Sequence, residues 1–158
     1  MTRTRNLLPQ EIALFPKDFI KQVNIESVRL ISRSHNFFAR NKILVRGNKI
    51  YWPNCPKDFT QETVHMQSKL MHELCHVWQY HTYRLSALRY LTNPKRWTYK
   101  YAFDILKKFD DYPTEKQADL MQDWYLANNG CAPENYDSRE CAAPTKEALN
   151  SATPFSWT

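Results

Sequence analysis

Glycine is nearly missing from this chain, with two in 158 residues. That scarcity excludes a Gly-rich phosphate loop and any architecture built from repeated tight turns. No run of eighteen apolar residues occurs, so no membrane span is expected. The N-terminus starts basic but meets Pro9, Gln10 and Glu11 before an apolar segment can form, so no signal peptide is expected either. The net charge is +6, yet the basic residues are scattered rather than clustered, and no basic stripe with exposed aromatics points to nucleic acid.

What is present suits a folded domain. Hydrophobic residues make up 42% of the chain and aromatics 14%, too many core formers for a disordered polymer. The length fits one domain with a real core, assigned to residues 1–130, followed by an irregular, poorly ordered tail over 131–158. Four cysteines are present. Cys75 reads as a small packing residue and Cys55 lies in a Pro-flanked loop. Cys131 and Cys141 bracket a polar stretch that a disulfide would close in an oxidising compartment.

The periodicities predict an α+β fold. Short helical turns are interrupted at Pro16, and a strand runs over Glu26 to Ser32. A hairpin over Lys42 to Trp52 turns at Gly47-Asn48. A helical pattern then runs from Asp58 to about Leu91, long enough that a break is expected between His81 and Ser86. Alternating aromatics from Trp97 to Ile105 predict another strand. Thr114 and Gln117 have the spacing of a capping box for a helix that Asn129-Gly130 closes.

The central helix carries the chemistry, in His72-Glu73-x-x-His76. At ~100° per residue, Leu70, Leu74, Val77, Trp78, Leu85 and Leu88 share one apolar stripe while His72 and His76 stack on the other side. Histidines at i and i+4 can bind one zinc ion, at about 2.0–2.1 Å each. The glutamate between them can take a proton from water activated by the metal. A third ligand is required, and candidates are few. His81 falls on the apolar stripe and reads as a core histidine. The extension that would place glycine at Gln79 and histidine at Thr82 is absent. His65 shares the ligand face but lies two turns away, about 10 Å along the axis. Glu115 remains, with Asp119 one turn later on the same face, placed to orient a ligating histidine. His65, Tyr80, Tyr83, Tyr112 and Arg84 are the candidate cleft residues able to donate to a developing oxyanion.

"HELCHVWQ" followed by "DYPTEKQAD" resembles the gluzincin-type zincin metallopeptidases, whose third ligand lies in E-x-x-[SA]-D. More narrowly, it is similar to the metallopeptidase domains of type VI secretion proteins of the VgrG and Rhs kinds and of contractile injection systems. The shared layout runs through Leu7 to Leu14, Val28 to Leu30, Gly47 to Tyr51, His72 to Gln79 and Asp111 to Ala118. The resemblance implies a zincin-like fold: a small twisted sheet with a β-hairpin packed on the HExxH helix, and a second ligand-bearing helix. It implies one Zn2+ per chain on His72, His76 and Glu115, with Glu73 as general base. It further implies an antibacterial effector delivered through a dedicated secretion system into a target-cell periplasm, with a protein or peptide substrate. A secretion spike protein and a cognate immunity protein would be its partners. The alternative is a non-catalytic zincin-like assembly component whose zinc only holds helices together.

Overall fold

The computed structural model describes residues 3–34, 42–83 and 100–157. Over these, the chain is α+β. Strands β1 (Thr4–Arg5), β2 (Arg29–Ile31), β3 (Leu44–Arg46) and β4 (Lys49–Tyr51) form a mixed sheet ordered β1-β2-β4-β3. Helices α1 (Pro9–Ile12) and α2 (Lys17–Val23) precede β2. Helix α3 spans Val64–Thr82, α4 spans Thr114–Asn128 and α5 spans Lys146–Ala152.

The hairpin forms where the sequence predicts it. Arg46 pairs with Lys49 across a two-residue loop, and Gly47 sits at φ +60°. A side chain there would be strained, which is why glycine holds the position. β4 also pairs in parallel with β2, placing Leu30 beside Ile50. β1 was not anticipated from sequence; two residues are too few to show a period. Glu11 anchors this end of the molecule. Its fully buried carboxylate takes two hydrogen bonds from Arg5, at 2.6 and 2.7 Å. It also accepts from the amides of Leu8 and Phe59. The pairing satisfies a charge that would otherwise be costly inside the protein.

Helix α3 starts later than the pattern suggests. Asp58 caps a separate 3-10 turn, Phe59–Gln61, by accepting from the Thr60 amide. The side chain of Thr63 caps α3 itself, accepting from the Met66 amide. The helix ends at Thr82, inside the interval where a break is expected. It is buried on both faces, not on the apolar stripe alone. Leu70, Leu74 and Val77 have no exposure, and neither does Gln79. His81 is exposed, which corrects its reading as a core histidine. Leu85, Leu88 and the rest of the run to Leu91 lie outside the described residues, as do Arg84, Trp97 and Tyr99.

Three further expectations change. The predicted strand around Tyr101 reduces, within the described residues, to one bridge from Tyr101 to Tyr136. Thr114 does not cap α4: Pro113 occupies the N-cap and Gln117 turns inward instead. The tail, expected to be poorly ordered over 131–158, is ordered over its described residues, 131–157. It forms α5, capped by Thr145, and inserts Leu149 and Phe155 into the core. The Phe155 ring lies 5.0 Å from Phe19 and 5.5 Å from Trp78, and Trp157 packs edge-on against Trp124 at 4.9 Å. Apolar residues spaced along an otherwise polar segment gave no period, yet Phe155 meets a ring from each of α2, α3 and α4. All four cysteines are free, so Cys131 and Cys141 are not joined. The Cys141 sulfur instead accepts from the Phe103 amide.

Candidate metal centre

Helix α3 packs along α4, and this contact assembles the centre. α4 holds its position through its ends. Glu115 in the first turn complements the helix dipole. At the other end Gly130, at φ +77°, reverses the chain so that the Cys131 amide reaches the Leu126 carbonyl at 2.9 Å.

The three predicted ligands converge. His72 Nε2 and His76 Nε2 are 3.2 Å apart, and Glu115 Oε2 lies 3.9 Å from the first and 3.5 Å from the second. Donor atoms around a tetrahedral ion with bonds of about 2.0–2.1 Å stand about 3.4 Å apart. The triangle therefore fits a small cation after a slight inward movement of Glu115. Among the described residues, these three are the group that could hold a metal ion. The His76 side chain is 3% exposed, but His72 is 17% and Glu115 23% exposed, so solvent reaches one side of the triangle.

The electrostatics suit a cation. Burial pushes His72 down to about 3, and the facing His76 pushes the same way. Burial also disfavours a charge on His76, but Glu115 and Glu73 outweigh it and raise the group to about 9. Burial lifts Glu73 to about 7, opposed by His76 and reinforced by Glu115. Asp119 is likewise lifted by burial to about 7, with Lys116 opposing. Without an ion this is a crowd of carboxyl groups competing for few protons. A divalent charge at its centre would favour ionised carboxylates and neutral imidazoles together.

The remaining predicted residues are placed as follows. Glu73 is 9% exposed beside His76, and no hydrogen bond ties up its carboxylate among the described residues. Asp119 Oδ1 stands 3.4 Å from His72 Nδ1, the ring nitrogen facing away from the triangle. His65 is drawn to Glu134, at 3.4 Å. Tyr80 reaches over to the hairpin, its hydroxyl 3.4 Å from the Val45 carbonyl. Tyr83 donates to Asp110 at 2.7 Å, and Tyr112 bonds the backbone of Asp104. These four are thus engaged around the periphery, while His72, Glu73, His76, Glu115 and Asp119 gather at the α3–α4 contact.

Sequence reasoning gave Gln79 no role and Gln117 only a place in a capping box, yet the structure places both here. Gln79 Oε1 pairs with His76 Nδ1 at 2.8 Å, and Gln79 Nε2 donates to Gln117 Oε1 at 2.8 Å. Both stood inside the quoted motifs, at "HVWQ" and "EKQAD". Their signal was a polar residue at a helix position facing a neighbouring helix, visible only once that neighbour is known.

No family model matches the chain, and no curated protein matches it. A solved structure described as the effector domain of Pseudomonas aeruginosa VgrG2b is similar to it. The TM-score is 0.68 at 23% identity, covering 93% of this chain and 80% of that one.

Proposed function

We propose that this chain is a zinc-dependent metallopeptidase of the zincin type that acts as an effector of a type VI-like secretion system. The observation that carries the reading is the triangle of His72 Nε2, His76 Nε2 and Glu115 Oε2, with the unbonded carboxylate of Glu73 next to it. A zinc ion held there supplies Lewis acidity, acidifying water and polarising a carbonyl. Glu73 is the group that takes a proton and returns it to the leaving amine. Burial raises the Glu73 carboxyl, and a divalent charge beside it would favour the ionised form that can accept a proton. The β3–β4 hairpin flanks α3 and could support an extended peptide at its outer edge, since among the described residues β3 is the terminal strand of the sheet. The likeness to the VgrG2b effector domain supports delivery by such a system with a spike protein as carrier; a cognate immunity protein in the producer is part of the proposal and draws no support of its own from that likeness.

The test is a metal analysis of the purified chain joined to an activity comparison. One zinc per chain is expected, and Glu73→Gln should keep it while losing peptide hydrolysis and toxicity. If Glu73→Gln keeps full activity, Glu73 is not the base; a zinc-loaded parent that hydrolyses no peptide would make the chain an assembly component instead.

A further inference from the structure

Gln79 is fully buried between α3 and α4 and uses both ends of its amide. Its Nε2 lies 2.8 Å from the Thr114 carbonyl, which can only accept. That contact fixes the orientation of the amide: the nitrogen faces Thr114 and Gln117, so the oxygen faces His76 Nδ1 at 2.8 Å. An oxygen there requires a proton on Nδ1, so in the neutral ring the lone pair of His76 is on Nε2, toward Glu115 and His72. Gln117 extends the same chain, donating from Nε2 to the Phe109 carbonyl at 3.2 Å. One side chain thus sets which nitrogen of His76 is offered to a metal. It also holds the backbone of Thr114, the residue immediately before Glu115.

We propose that Gln79 is the positioning residue of the metal centre, fixing the His76 tautomer through its amide oxygen. The proposal rests on the metal reading above. An apolar side chain of similar length would fill the same space without burying an amide, which must be fully hydrogen-bonded to be tolerated. The two helices could pack without Gln79, but His76 would lose the partner that selects its ring nitrogen. The equivalent nitrogen of His72 has a carboxylate, Asp119, nearby at 3.4 Å. That nitrogen makes no hydrogen bond at this distance among the described residues, so of the two imidazoles it is His76 whose outer nitrogen is held by one.

The experiment compares the parent chain with Gln79→Met and Gln79→Glu, measuring zinc affinity by competition with a chelator and melting of the metal-free forms. Methionine removes the acceptor and the donor; glutamate keeps an oxygen for His76 but cannot donate to Thr114. Gln79→Met should bind zinc about 10–100-fold more weakly. Gln79→Glu should restore affinity to the parent level or above while melting lower than the parent. A merely structural role predicts that affinity follows melting in both variants, so a Gln79→Glu protein as weak as Gln79→Met would overturn the proposal. So would Gln79→Met binding within about twofold of the parent, against the loss expected for a ligand-orienting partner. If Gln79→Met fails to fold, NMR of the parent still decides. A slowly exchanging low-field Nδ1 proton on His76 supports the proposal, and its absence overturns it. A parent chain that takes up no zinc would instead overturn the metal reading, before any variant is compared.

Discussion

His72 and His76 turn their Nε2 atoms toward each other across 3.2 Å, with ring planes 82° apart. Two imidazoles so placed cannot both be protonated at low cost, and a shared cation relieves the conflict. Removing either ring, or Glu115, leaves two donors. His72→Ala, His76→Ala and Glu115→Ala should each purify with substoichiometric zinc, read by elemental analysis. Full occupancy in Glu115→Ala would remove that residue from the ligand set.

Asp119 stands behind His72 at Nδ1, away from the triangle. Asp119→Ala should weaken zinc affinity by about 10–100-fold without abolishing it. Chelator competition reads the change, and a titration matching the parent would detach Asp119 from the centre.

How much of this was legible without coordinates depends on the range of each signal. The i, i+4 spacing of His72 and His76 is local, and so is that of Glu115 and Asp119; both survive intact. The hairpin is local too, since Gly47 needs only its own φ. Gln79, Gln117 and Phe155 were not legible, because each matters through a partner distant in sequence. The capping box at Thr114 failed for the same reason: Gln117 has better use for its amide against Phe109 and Gln79 than at its own helix start. His81 was misassigned because the helix ends one residue later, leaving the side chain in solvent where the stripe would have continued.

The tail is held by burial rather than by periodicity, and one ring tests it. Phe155 is 4% exposed against Phe19 and Trp78. Phe155→Ala should destabilise the chain by about 3–5 kcal/mol, read as a lower midpoint in chemical denaturation. An unchanged midpoint would mean that residues beyond Gly130 do not contribute to the core.

The cysteines divide by environment. Burial pushes the Cys55 thiol up to about 11, and Cys75 rises well above its ordinary value for the same reason. At pH 8 a thiol titrating near 11 is about 0.1% thiolate, so its alkylation is slow. Cys131 and Cys141 are only partly covered. Under native conditions at pH 8, these two should react with a thiol reagent while Cys55 and Cys75 wait for denaturant. Four thiols found after denaturation without reductant would confirm that no disulfide forms; two would show that Cys131 and Cys141 pair on exposure to oxidant.

Compartment is the last question, and catalysis can be separated from delivery. If the chain acts on a periplasmic substrate, a grafted signal peptide should make it harmful to a susceptible bacterium, while cytoplasmic expression should harm growth less. Glu73→Gln is the control because it removes the proton acceptor and leaves His72, His76 and Glu115 in place to hold the metal. The variant also keeps the packing of α3 against α4, since among the described residues the Glu73 carboxylate makes no hydrogen bond. Any toxicity that comes from export stress or from the +6 charge of the chain would persist in the variant. The expected result is growth arrest with the exported parent and normal growth with exported Glu73→Gln at equal protein levels. Equal harm from both would exclude hydrolysis as the cause. Harm confined to the cytoplasmic parent would keep the chemistry but move its substrate to the other side of the inner membrane.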